Sequence, residues 1–249
     1  MKNMITKIKN SEVDSERISY IQTPIENYLN NSDFSNAVVQ KPWGYEYLMY
    51  QNETVSIWIL YIKPGHLTSM HCHINKKTAL LVLSGEAVFT TLEKGLNLKE
   101  GDGLVIDKKV FHSTQSISDK GVIIMEVETP SQKTDLLRLS DNYGRESKGY
   151  ESRDHLSQNL SEYEYIFFKK NEFKIVKKIK NMNLSLERFE NEEEIKKYLT
   201  TYKNGIGVIL NGVLNNLSRG EIFYIESLID IYDLKVPLDI LHVKNNANY

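Results

Sequence analysis

The residues best suited to chemistry are His71 and His73, one residue apart at the start of a strand-like segment, GHLTSMHCHINKKTALLVLSG. Side chains alternate faces along a strand, so the two imidazoles point the same way and Cys72 points the other. A third histidine, His112, lies in a second segment, EGDGLVIDKKVFHS, in which Gly101 and Asp102 make a turn before the next apolar run. Three of the chain's six histidines thus fall in one compact stretch. Imidazoles brought together are suited to holding a divalent cation. Downstream, Glu126 and Glu128 stand two apart on an apolar strand and share a face, where a carboxylate near a cation could move a proton. Arg138 and Arg145 follow, and guanidinium groups bind phosphate oxygens in bidentate fashion.

These residues resemble the cupins. The first cupin motif is matched by Gly65, His71, His73 and Gly85, and the second by Gly101 and His112. Thr78 stands where that motif carries a glutamate, and Asp107 and Lys109 replace the proline and glycine that precede the last histidine. The metal set implied is therefore His71, His73 and His112, three neutral ligands with open positions. Either the cation is held more weakly, or a substrate supplies the missing anionic ligand. The flanking segments KPWGYEYL (41–48) and EVETPSQKTDLLRLSDNYGR (126–145) are similar to those of mannose-6-phosphate isomerase-type cupins of sugar-nucleotide and surface-polysaccharide pathways, through Glu126, Asp135, Arg138, Asp141, Tyr143, Gly144 and Arg145. The resemblance runs from Lys41 to about Glu151.

What it implies is a mainly β fold: a cupin double-stranded β-helix, or jelly roll, with an N-terminal helical arm and a C-terminal, degenerate second cupin-like unit. The expected division is 1–40 for the arm, 41–151 for the barrel and 152–249 for the C-terminal unit. Within the barrel, Glu126 and Arg138 are the candidate catalytic groups, and Arg145, Lys77 and Tyr143 the substrate-binding candidates. The expected activity is an isomerase- or epimerase-like step on a phosphorylated sugar or nucleotide-sugar precursor, with a divalent ion that the ligand set leaves open among zinc, iron, manganese and nickel. Two other readings stand beside it: a three-histidine iron dioxygenase, and a non-catalytic sugar-binding or regulatory cupin. Cupins often form dimers, so a homodimer is expected.

Each site residue also has a plainer reading. The histidines could fill the polar interior of a vestigial barrel, although three crowded imidazoles need hydrogen-bond partners when neutral and repel when protonated. Lys76 and Lys77 fit a solvated rim, Arg138, Arg145 and Lys148 ordinary surface ion pairs, and Glu126 and Glu128 an outward face or pairs with those arginines. Trp43 and Tyr45 read as strand-packing aromatics, and His66 as a residue of the mouth.

The elements that must position these residues are short strands separated by Gly, Asn, Asp and Pro turns: 45–50, 55–62, 79–83, 87–92, 104–106 and 122–127. Strands at that spacing without intervening helices give an antiparallel barrel or jelly roll. Upstream, Ile18, Ile21, Ile25 and Leu29 pattern an amphipathic helix limited by Pro24, in an arm that packs on the barrel or a neighbouring subunit. Beyond a Ser-, Asp- and Arg-rich connection over 136–162, YIFFKKNEFKIVKKI reads as strands and NEEEIKKYLTTY as a helix opened by Asn191. The stretch GIGVILNGVLNNLSRGEIFYIESL repeats LLVLSGEA and EGDGLVI in shorter form, which suggests the degenerate second half, with His242 as a packing residue.

Composition narrows the class. At 249 residues and 41% hydrophobic content, the chain can bury one large core or two modest ones. A formal net charge of -2 gives no basic field for nucleic acid. The N-terminus has no apolar h-region and no run is long enough to span a bilayer, so no membrane association and a cytoplasmic location are expected. The single cysteine forms no internal disulfide and fits a reducing compartment.

Overall fold

Three segments, SIWILYI (56–62), KTALLVLS (77–84) and VIIMEVET (122–129), are apolar with almost no alternation. Strands of that kind are buried on both faces, and the computed structural model shows what covers each face. It describes residues 5–21, 34–146, 150, 155–228 and 230–246. Trp58, Leu60, Ile62, Leu80, Val82 and Ile124 point into a barrel, while Ile57, Ile59, Leu81, Leu83, Met125 and Val127 pack against a separate sheet behind it.

The barrel strands, in chain order, are β1 (Thr6–Ile8), β2 (Val38–Lys41), β3 (Gly44–Gln51), β4 (Ser56–Ile62), β5 (Met70–Cys72), β6 (Lys77–Ser84), β7 (Glu86–Thr91), β8 (Gly95–Lys99), β9 (Gly103–Ile106), β10 (His112–Ser116), β11 (Val122–Thr129), β12 (Leu137–Ser140) and β13 (Leu156–Ser157). They form two sheets, β1-β9-β6-β11-β4-β3-β2-β13 and β12-β5-β10-β7-β8. The first carries the long apolar strands; the second, the histidines. This is the mainly β jelly roll that the sequence implied, and the six expected strands all form.

Helix α1 (Glu12–Tyr20) overlaps the start of the apolar pattern at Ile18. It is opened by a capping box between Ser11 and Asp14 and ends at Ile21. Ile25 and Leu29, which were to extend it, lie outside the described residues, as does Lys148. Strand β1 pairs in parallel with β9, and Ile18 and Ile21 pack with Cys72, Phe111 and Leu137 on the outer face of the histidine-bearing sheet. The described part of the arm therefore packs on the barrel.

The C-terminal region is a five-stranded antiparallel sheet, order β14-β15-β18-β16-β17. Its elements are β14 (Val176–Ile179), β15 (Met182–Phe189), α2 (Glu192–Thr201), β16 (Ile206–Leu214), β17 (Ile222–Tyr224) and β18 (Leu234–Asn245). Asn191 caps α2 by accepting from the Glu194 N–H. One face of this sheet, through Leu184, Leu186, Val208, Leu210, Leu241 and Val243, completes the core behind β4, β6 and β11. The other face receives Ile195 and Tyr198 of α2. Two sequence readings differ in detail. The YIFFKK part of the expected strands is not a strand; Phe168 instead anchors this stretch, buried in the shared core with its N–H on the Met49 carbonyl. Asn211-Gly212 does not end an apolar strand but lies inside β16, where the register to β18 shifts. Gly212 has φ +82°, and a Cβ there would come within 2.4 Å of the Lys235 carbonyl oxygen, so only glycine lets the two strands approach.

Candidate metal centre and charged cavity

The three histidines meet. His71 lies on β5, His112 opens β10 directly opposite it in register, and His73 follows β5. Their ligand atoms all fall within 4.8 Å of one another, and the ring centroids are 4.5–5.5 Å apart. Each Nδ1 sits against a main-chain carbonyl: His71 on Ser69 at 2.8 Å, His73 on Asp135 at 2.6 Å and His112 on Val110 at 2.9 Å. A carbonyl only accepts, so Nδ1 carries the proton and Nε2 the lone pair, the second-sphere arrangement that prepares a histidine to ligate.

A cation fits these residues. His73 Nε2 is buried and has no hydrogen-bond partner among the described residues, a costly state for a polar atom unless something completes it. The imidazoles are also held neutral, as ligands must be. Burial lowers His112 to about 4. Burial, followed by the neighbouring His112, takes His71 well below its usual value, and burial with Lys76 and the other two imidazoles does the same for His73.

Thr78, at the position of the cupin glutamate, has a buried Oγ1 without a partner. Directly opposite it across the β11–β6 pairing stands Glu128. The carboxylates of this barrel thus come from other strands than the one the motif names: β11, with Glu126 and Glu128, and β3, with Glu46. Lys109, where the motif has glycine, adopts φ +66°, a left-handed conformation that glycine takes more easily.

Along β11 the inward residues change from Val122 and Ile124 to Glu126 and Glu128, so one end of the barrel interior is apolar and the other charged. A cavity of about 50 Å³ at the charged end is lined by the imidazoles of His71 and His73 with Lys76, Glu126, Arg138 and Arg145, among others. That is room for an ion and a few waters. Lys76, read from sequence as a rim residue, is 2% exposed and pairs with Glu128 at 2.8 Å. Lys133, on the loop between β11 and β12, lies 3.2–3.3 Å from Glu46, Glu126 and Glu128 and 4.0 Å above the Trp58 ring. Glu46 also pairs with Lys41 at 3.2 Å and accepts from the Tyr150 hydroxyl.

These contacts separate the carboxylates. Burial alone would raise Glu46, but Lys133 and Lys41 bring it down to about 2. Burial is likewise outweighed at Glu128, which Lys133 and Lys76 lower. At Glu126 burial wins and its pKa is raised, with Lys133 opposing and Glu128 adding to the rise. Lys133 is held firmly protonated: its carboxylate neighbours, Glu128 first, outweigh its own burial. Two carboxyls two residues apart are thus shifted in opposite directions.

Arg138, on β12, faces His71 across the β12–β5 pairing and lines the cavity. Arg145 lines it too and forms a fork with Asp141, at 2.7 and 3.1 Å. The structure therefore groups His71, His73, His112, Glu126, Arg138 and Arg145. It does not bring in Lys77, whose half-exposed side chain reaches Asp107 at 3.5 Å, or Tyr143, which packs on the apolar cluster with its ring parallel to His66. Sequence reasoning missed Glu46, Lys41, Lys133 and the role of Asp135. All four lie in the quoted segments KPWGYEYL and EVETPSQKTDLLRLSDNYGR, but only Asp135 was named there as a matched residue.

Residues 58–128 match the family described as Cupin domain, and the chain carries a cupin domain over that stretch. Among curated proteins, the chain is similar to xanthan biosynthesis protein XanB of Xanthomonas campestris pv. campestris, at 28% identity over 109 residues, covering 43% of this chain and 23% of that protein. A mannose-1-phosphate guanylyltransferase of Klebsiella pneumoniae is 25% identical over 109 residues, with the same 43% and 23% coverage. The match thus spans under a quarter of the length of these relatives. Among solved structures, the capsular polysaccharide assembling protein CapF from Staphylococcus aureus aligns with a TM-score of 0.38 and 14% identity, covering 42% of this chain and 34% of that one. A cupin-superfamily sugar phosphate isomerase from Silicibacter pomeroyi aligns at TM-score 0.30 and 16% identity, covering 31% and 52%. No helix among the described residues is long and apolar enough to cross a membrane.

Proposed function

We propose that this protein is a metal-binding cupin that acts on a phosphorylated sugar or nucleotide-sugar precursor in carbohydrate or surface-polysaccharide biosynthesis, in an isomerase- or epimerase-like proton transfer. The observation that carries the reading is the grouping, in one cavity, of two imidazoles of the trio, His71 and His73, with a carboxyl of raised pKa, Glu126, and two guanidinium groups, Arg138 and Arg145. The similarity to proteins named for xanthan biosynthesis and mannose-1-phosphate guanylyl transfer supports the sugar context.

His71, His73 and His112 would hold the cation, which when bound would polarise a carbonyl or enediol oxygen as a Lewis acid. Glu126, protonated more readily than its neighbours, takes a proton from one sugar carbon and returns it to the next. Glu128 stays ionised between Lys76 and Lys133 and keeps Glu126 from losing its proton too easily. Arg138 and Arg145 bind the phosphate.

The test is incubation of metal-loaded protein with hexose and pentose phosphates and nucleotide sugars in D₂O, read by NMR. Solvent deuterium appearing at a sugar carbon, and lost in Glu126→Gln, is expected; no exchange with any of them contradicts the reading. A second reading, the three-histidine iron dioxygenase, is favoured by one observation: among the described residues no carboxylate joins the imidazole group. Iron-dependent oxygen uptake without deuterium exchange would decide for it.

A further inference from the structure

Asp135 accepts hydrogen bonds from four consecutive residues. Its carboxylate receives the backbone N–H groups of Ile74 at 3.0 Å, Asn75 at 2.8 Å and Lys76 at 2.9 Å. Its main-chain carbonyl lies 2.6 Å from Nδ1 of His73. Successive N–H groups aimed at one anion form a nest, and this one is nearly closed to solvent, Asp135 being 7% exposed.

The contrast with the other two imidazoles is informative. His71 and His112 each use the carbonyl two residues earlier in their own segment, Ser69 and Val110. Their second-sphere partners are set by local backbone. His73 instead relies on a residue 62 positions away, on the loop between β11 and β12. The loop has a turn bond of its own, from the Asp135 N–H to the Gln132 carbonyl at 3.2 Å, and Leu137 pairs with Cys72 beyond it. The Asp135 carboxylate adds the direct tie between this loop and the turn that begins at His73. The same turn delivers Lys76 to Glu128.

The geometry points to Asp135 as the positioning residue of the metal site: its carboxylate pins the closing loop so that its carbonyl sets the tautomer and direction of His73. This rests on the reading of the three imidazoles as a metal set. It goes beyond that reading in assigning the orientation of one ligand to one remote carboxylate.

The test uses full-length Asp135→Ala and Asp135→Asn, with Asp102→Asn as control. Asp102 also organises a turn, accepting the Lys99 N–H at 3.0 Å, away from the histidines. Two quantities are measured: Zn²⁺ affinity by chelator competition, and the tautomer of each histidine in metal-free protein by long-range ¹H–¹⁵N correlation. Asp135→Ala is expected to bind Zn²⁺ about 10- to 100-fold more weakly. Asp135→Asn is expected to show a smaller loss, and His73 alone to lose its single Nδ1–H form. If Asp135→Ala does not fold, Asp135→Asn carries both measurements. Zn²⁺ affinity within twofold of wild type with an unchanged His73 spectrum overturns the proposal, as does an equal loss in Asp102→Asn. If wild-type protein binds no Zn²⁺ at all, the metal reading falls, and the His73 tautomer still decides the role of Asp135.

Discussion

His112 lies directly opposite His71 in the antiparallel pairing of β10 with β5. Residues opposite one another share a face of the sheet, so strand register alone brings two of the three imidazoles together, and Arg138 joins the row from β12. A register slip of one residue would turn His112 outward. The apolar outer face made by Cys72, Phe111 and Leu137, packed under Ile18 and Ile21, opposes that slip.

The N-terminal arm should therefore matter to the barrel. Asp14 is buried and accepts the N–H of Phe111, the residue before His112, at 2.9 Å, besides accepting the Ser11 N–H that completes the capping box of its own helix. Asp14→Ala leaves a buried N–H unpaired and removes half of a capping box, and is expected to cost about 2 kcal/mol. Urea denaturation measures it.

The pair Lys76 and Glu128 is buried on both sides. Lys133 also lies 3.2 Å from Glu128, so Lys76→Met leaves that charge only partly compensated and is expected to cost about 1–3 kcal/mol, and the double variant with Glu128→Gln less than the sum of the singles. A double-mutant cycle by chemical denaturation reads the difference; strict additivity would mean the two charges do not interact.

Lys109 offers the opposite sign. Its φ of +66° is strained for a side-chain-bearing residue, and its side chain is exposed. Lys109→Gly is expected to stabilise by about 0.5–1 kcal/mol, relief of the left-handed strain exceeding the entropy lost on ordering glycine. A rise in melting temperature supports this, and a fall contradicts it.

His242 is the buried histidine outside the metal set. It packs between Tyr198 and Tyr202, and burial lowers it to about 4. An unfolded histidine titrates near about 6.5. Between those values the unfolded chain binds the extra proton, so stability is full above about 6.5 and is lost as pH falls toward about 4, by up to about 1.4 kcal/mol per unit for such a group. His112, lowered for the same reason, acts in the same window. Metal-free wild-type protein should lose stability between pH 7 and 5, and His242→Gln should flatten the slope. An unchanged slope in the variant would show that His242 is not neutral in the fold.

The imidazole trio and the barrel strands were legible because both are local patterns: a spacing of two within one strand, and apolar runs between turn residues. The capped start of α2 at Asn191 was legible for the same reason. Lys76, Glu46 and Lys133 were not. A lysine on a turn reads as solvated, and only the fold reveals that Glu128, 52 positions away, waits for it inside the barrel. Asp135 was visible as a matched residue, but its bonds to residues 73–76 belong to tertiary structure. Lys77 points outward while Lys76 is buried, because adjacent residues near a strand start face opposite ways, and sequence does not say which way is in.

The most direct measurement is metal content of full-length protein, by elemental analysis after equilibration with Zn²⁺, Fe²⁺, Mn²⁺ and Ni²⁺ in turn, beside His73→Ala and His112→Ala. About one ion per chain is expected for at least one of these metals in wild type, with a loss of most of it in both variants while their secondary structure stays intact by circular dichroism. Equal metal content in all three proteins, or none in wild type, would contradict this expectation.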